Sequence, residues 1–283
     1  MARLSSGGGT AAKKKRSFFS SNPVMHRLDS VNEYSESDAA SYGGIAAKTA
    51  FFLLFSVVGI AVERVLSQML ATGQTIDLNV KGFHVSLYTG EVIALFLSVI
   101  LAIVFQLLAF FAKPTTPVTG ALYCVTQGYM ISFSIFKILH GMEYLGLLAL
   151  AITITIVMVM AVLYATEIIR VTKKFKTVML TLFITVISVS LLMLIGSFIP
   201  ATAEMVMQIR NNFVISIGFS VIFIIIASLF LICDFATIDH VVQDQLPKKY
   251  EWQAAFGLSF TVLWLYLKVL DLIITIAGNK NNN

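Results

Sequence analysis

The stretch FVISIGFSVIFIIIASLFLIC, residues 213–233, holds no charged side chain and no proline, and it runs directly into Asp234. A run of about 20 apolar residues is what a helix needs to cross the hydrocarbon core of a bilayer, roughly 30 Å at 1.5 Å per residue. Leu, Ile, Val and Phe follow one another here without strict alternation, which fits a helix rather than a barrel strand. Six further runs of similar length accompany it: Thr49–Leu70, Glu91–Ala112, Val118–Leu139, Tyr144–Thr166, Val178–Ile199 and Trp252–Ala277. The pattern predicts an all-α integral membrane protein, a bundle of seven transmembrane helices over residues 45–278.

The composition agrees. Hydrophobic residues make up 58% of the 283 positions and charged ones only 12%, with a mean hydropathy of +0.87. An ordinary soluble globule is about a quarter charged, and a disordered chain is poorer still in apolar residues, so both are excluded over most of the length. Two cysteines cannot build a disulfide framework, and Cys124 and Cys233 read as small buried residues.

Residues 1–44 differ. A Ser/Gly-rich opening leads to Lys13, Lys14, Lys15 and Arg16, then to Asp29, Glu33, Glu36 and Asp38, with no apolar period. This predicts a disordered cytoplasmic N-terminal tail whose basic cluster faces anionic lipid headgroups rather than nucleic acid. The remaining charges orient the bundle. The tail up to Lys48 and alternate loops, with Lys113, Arg170, Lys173, Lys174, Lys176, Lys248 and Lys249, carry fourteen basic residues, whereas the opposite side carries only Lys81, Arg210 and Lys280. The positive-inside rule then places the N-terminus in the cytoplasm and the C-terminus outside, in a plasma membrane protein. Apart from residues 71–87 the loops are short, which leaves no room for a second soluble domain. Pro114 and Pro117 punctuate the second turn, and Pro200 marks the end of the fifth span.

Motifs of soluble enzymes are missing: there is no Walker loop, dinucleotide fingerprint, HExxH or GxSxG. His26, His84, His140 and His240 are scattered over both sides, which points to no shared metal site and no cofactor. The chemistry therefore has to come from charges inside spans, which are costly and face a bundle interior or a wet cavity. Asp234 sits at the inner end of the sixth run. On the seventh, Gly257, Thr261, Trp264, Lys268, Asp271 and Thr275 are spaced 4, 3, 4, 3 and 4 apart, which sets them on one helix face. Lys268 can pair with Asp271 three residues on, or with Asp234 across the hairpin. Gln127, Ser134 and Lys137 form a second polar face, where Lys137 is expected to snorkel to the outer surface.

Three segments carry a family resemblance: SSNPVMHRL (20–28), EIIRVTKKFKTVM (167–179) and, above all, CDFATIDHVVQDQLPKKYEWQAAFGLSFTVLWLYLKVLDLI (233–273). With them the chain resembles the bacterial, YccA-like branch of the transmembrane Bax inhibitor motif superfamily over about residues 20–277. The resemblance implies a seven-helix protein that leaks calcium in a pH-dependent way through two acids on the last two helices. The first acid lands on Asp234. The second lands on Lys268, where relatives carry Asp or Glu; an acid on the third helix lands on Gln127, and the basic partner corresponds to Lys113. Two close carboxylates form a pH sensor because both cannot ionise easily, whereas an Asp–Lys pair favours the charged carboxylate and repels a divalent cation.

Two functions remain open on these residues. One is a cation (calcium) leak channel with Asp234, Lys268 and Asp271 along its path, supported by Lys113, Gln127, Thr261 and Trp264. The other is a non-conducting membrane protein that binds other membrane proteins or membrane proteases. Neither is an enzyme, and in both the lipid bilayer is the immediate partner.

Overall fold

The computed structural model describes residues 38–281. The tail expected over residues 1–44 lies outside that range up to position 37. Within it, residues 38–41 are docked: Ala40 N–H donates to the Leu246 carbonyl at 2.8 Å and Lys248 N–H to that of Asp38 at 2.9 Å.

Helix α1 (Tyr42–Leu70) starts where the Ser41 side chain accepts the Gly44 N–H, an N-cap that satisfies one orphan donor of the first turn. After the hairpin β1 (Thr75–Val80) and β2 (Phe83–Tyr88), α2 (Thr89–Phe111) and α3 (Thr116–Phe133) are separated by a short 3-10 turn at Lys113–Thr115. Helix α3 passes into a π-helical turn at Ser134–Ile138, so the third apolar run is helical to its end. Helices α4 (Tyr144–Ala165), α5 (Lys173–Phe198), α6 (Pro200–Asn211), α7 (Phe213–Gln243) and α8 (Glu251–Asn281) complete the chain.

Among the described residues five helices are long and apolar enough to cross a membrane: α1, α2, α4, α7 and the segment Lys248–Lys280 that contains α8. Their outward faces suit lipid. Leu97, Ile100, Ile103 and Leu107 on α2, and Leu147, Ile154, Met158 and Val162 on α4, are all exposed at helical spacing. A face of this kind is stable only against hydrocarbon, so these helices sit in a bilayer.

The centre of the bundle is α8, which packs against α7, α1, α4 and α3. Phe256 joins it to its neighbours, with edge-to-face contacts to Phe52 (5.7 Å), Phe110 (5.8 Å) and Tyr123 (5.6 Å). The tightest helix pair is α1 with α3. A side chain at Gly59 would collide with the Val125 carbonyl, and one at Gly128 with the Ser56 carbonyl. Glycine lets the two backbones touch, which is how membrane helices gain packing without a hydrophobic drive between them.

The structure departs from the sequence-based expectation in three places. The loop 71–87 contains an antiparallel hairpin in the register Thr75↔Tyr88 to Val80↔Phe83, so the chain is not purely helical. Its cause is readable: Ile76, Leu78 and Val80 alternate with polar residues, as do Phe83, Val85 and Leu87, and the latter three are buried. Lys81 (φ 51°) and Gly82 (φ 89°) form the two-residue turn whose twist matches the strands. Secondly, Pro200 does not merely end α5 but opens α6, because a proline at the first helical position has no N–H to lose. Thirdly, α7 continues for about three turns beyond Cys233, which places Asp234 inside a helix.

Candidate functional site

Asp234 is completely buried on α7, and among the described residues neither carboxyl oxygen has a hydrogen-bond partner of normal geometry. Its polar neighbour across the interface is Thr261 on α8. The Thr261 hydroxyl is engaged elsewhere, 3.3 Å from the Gly257 carbonyl of its own helix. Buried polar groups are almost always satisfied, so an orphan carboxyl at a helix interface calls for an explanation in function.

The register of the antiparallel α7–α8 pair decides what else Asp234 meets. Phe230 lies against Trp264 (6.1 Å between rings), and Phe223 lies under the Lys268 ammonium at 4.8 Å. From Thr261 to Lys268 is about 10 Å along the axis, at 1.5 Å per residue. Lys268 therefore sits two helical turns from the acid and rests on an aromatic face. No salt bridge joins Lys268 to Asp234 or to Asp271 among the described residues.

Asp271 is tied to another element. The Lys81 ammonium, in the hairpin turn, lies 2.5 Å from Asp271 Oδ1 and 2.8 Å from Thr275 Oγ1, and Ser220 Oγ donates to Asp271 Oδ2 at 3.3 Å. Lys81 belongs to the loop expected over residues 71–87. The positive φ of the turn aims it inward over α8, where Gly278 leaves space for the Lys81 carbonyl.

The supporting positions are spread out. Gln127 is buried on α3 and Trp264 packs on Phe230, whereas Lys113 covers the Tyr250 ring at 5.4 Å near the other end of the bundle. Thus of the expected set the structure joins Asp234 with Thr261, and separates both from Lys268 and Asp271.

Further ionic groups lie in the bundle outside the expected set. Glu63 is buried on α1 and accepts a hydrogen bond from Ser132 Oγ at 2.6 Å. Glu91, at the start of α2, accepts from Ser67 Oγ (2.7 Å), from the Tyr88 N–H (3.1 Å) and from Lys137 (2.5 Å). Lys137 therefore does not snorkel; it neutralises a buried acid. Glu251 is wholly buried and bound by Lys48 and by the Ser41 N–H and hydroxyl. The signal for Glu63 was present, an acid inside the first apolar run. Glu91 opens its run and Glu251 just precedes the last one, so both look like ordinary boundary residues.

Outside the spans, the Gly141 N–H lies 2.9 Å from Glu143 Oε1 and holds that exposed carboxyl below its ordinary range. Among the described residues no three His, Cys, Asp or Glu side chains are placed to hold a metal ion.

Compared with known proteins, residues 22–278 match the family model described as Bax inhibitor 1 like. No curated protein and no solved structure matches the chain.

Proposed function

We propose, from the premise that this chain belongs to the Bax inhibitor 1 like family, that it is a cation leak, passing calcium through its helix bundle under the control of Asp234. The reading includes seven spans, with α3 and α5 crossing beside the five long apolar helices, a cytoplasmic N-terminus and a place in the plasma membrane. No covalent chemistry is involved.

The observation that carries the proposal is the orphan carboxyl of Asp234. An isolated carboxyl in an apolar interior is stabilised by taking up a proton or a cation. Closed, the α7–α8 interface seals it; opened and wetted, the same group draws a cation inward. Lys268 stands two turns away on α8 as a fixed positive charge on the same route, and it opposes divalent ions by repulsion. Asp271 does not complete a carboxyl pair with Asp234, since it belongs to Lys81. The device is thus a single acid set against a lysine barrier.

The test is calcium entry into vesicles containing the full-length protein and an entrapped indicator, read from neutral to acidic pH. Wild type gives flux that changes with pH, Asp234→Asn abolishes the pH dependence, and Lys268→Gln raises the flux. Flux equal to that of empty vesicles at every pH would overturn the reading. It would favour a second one, a non-conducting protein that binds membrane partners, which the mutual neutralisation of Lys48–Glu251, Lys137–Glu91 and Lys81–Asp271 supports.

A further inference from the structure

Two cavities share Phe136 and Glu143 in their walls. One is an apolar lateral groove of 1080 Å³ between α1, α4, α8 and the end of α3, with Leu54 and Leu147 exposed along it. The other is a polar pocket of 390 Å³ at the hairpin end, lined by Arg64, Lys137, His84 and His140 among others. Both are lined by Phe136 and Glu143. From Arg64 down to Thr49, the far end of the groove on α1, is about 22 Å along the helix.

We infer that this combined cavity is a binding site for one glycerophospholipid, with an acyl chain in the groove and the phosphate diester in the polar pocket. In a bilayer an open apolar groove is filled by lipid chains in any case, so the groove alone recognises nothing. Recognition lies in the pocket. Lys137 is already neutralised by Glu91, and His140 lies 3.6 Å from Glu143. Arg64 differs: it forms no salt bridge among the described residues, though it acts through space on the Glu143 carboxyl, and its guanidinium carbon lies over the Phe136 ring, 4.3 Å from the centroid. The ring contact holds the guanidinium in place while leaving its N–H groups to donate, the arrangement suited to phosphate oxygens. Because Phe136 also lines the groove, the phosphate and the first methylenes of the chain meet at one side chain.

The experiment uses full-length protein stripped of lipid in a non-ionic detergent. It is titrated with phosphatidylglycerol, with phosphatidylethanolamine and with diacylglycerol, and bound lipid is counted by native mass spectrometry. Wild type retains one phospholipid of either headgroup and binds diacylglycerol at least about tenfold more weakly, the loss expected for removing a charge-assisted hydrogen bond. Arg64→Gln weakens phospholipid by a similar factor and Arg64→Lys restores part of it. Leu54→Trp, which fills the groove, lowers retention, whereas Leu97→Trp on the outward face of α2 leaves it unchanged. Equal binding of diacylglycerol and phospholipid by wild type overturns the inference without recourse to any variant. So does a lipid-free dimer, which would mean that a second copy covers the groove. If Arg64→Gln retains lipid as wild type does, the assignment of the phosphate to Arg64 falls.

Discussion

Removing the cation from the buried Lys48–Glu251 pair, as Lys48→Met, is the most direct probe of what joins α1 to α8. Glu251 opens α8 with its side chain wholly inaccessible, while Lys48 on α1 is 16% exposed and also lies 5.1 Å from the Trp252 ring. Methionine keeps the aliphatic stem against that ring but leaves a carboxylate with only the Ser41 N–H (2.8 Å) and hydroxyl (3.2 Å). Breaking a buried pair from one side costs about 3–5 kcal/mol, because a charge is left uncompensated. Water reaches the lysine end, so the lower figure, about 3 kcal/mol, applies. Glu251→Gln costs less, about 1–2 kcal/mol: the amide oxygen still accepts from Ser41, and the freed lysine can hydrate. In the double variant no isolated charge remains, and the loss is smaller than the sum of the singles by about 1–2 kcal/mol. Thermal unfolding in detergent, followed by tryptophan fluorescence, measures all three. At roughly 2–4 °C per kcal/mol for a chain of this size, Lys48→Met melts about 6–12 °C below wild type. A strictly additive double variant, or a Lys48→Met protein that melts like wild type, would refute the view that Glu251 is a buried anion needing its lysine.

The α1–α3 contact predicts that Gly128→Ala, which drives a methyl group into the Ser56 carbonyl, destabilises the protein by about 1–3 kcal/mol in the same melting assay. Gly218→Ala, with nothing within 4 Å, is neutral or stabilises by up to about 1 kcal/mol. The hairpin latch predicts that Lys81→Met lowers stability by no more than about 1 kcal/mol, since both partners are partly exposed and screened. It should nonetheless speed hydrogen exchange at 75–88 relative to the helices, and unchanged exchange there would show that the strands dock without it.

The long uncharged run at 213–233 specifies a membrane helix on its own, because hydrocarbon leaves a backbone no alternative to internal hydrogen bonds. The hairpin was also written in the chain, in the alternation of 76–80 and 83–87 around Lys81–Gly82. Its signal is masked because a short strand pair between two strong helical signals reads as a loop. The site was only half visible. Asp234 stood out as an acid against an apolar run, and Lys268 and Asp271 shared a helical face with Thr261 in the sequence as they do in the fold.

What a single helix face cannot tell is which neighbour each position meets. The α7–α8 register puts Thr261 beside Asp234 and Phe223 beside Lys268. The turn at Lys81, nearly two hundred residues earlier in the chain, takes Asp271. By itself the sequence determined the solvent, the helices and their apolar faces, since these follow from local periodicity and the energetics of transfer into lipid. Only the tertiary structure decided the pairing of the charges. A salt bridge depends on a few ångströms between side chains distant in sequence, and that separation is set by how the glycine-lined helices pack.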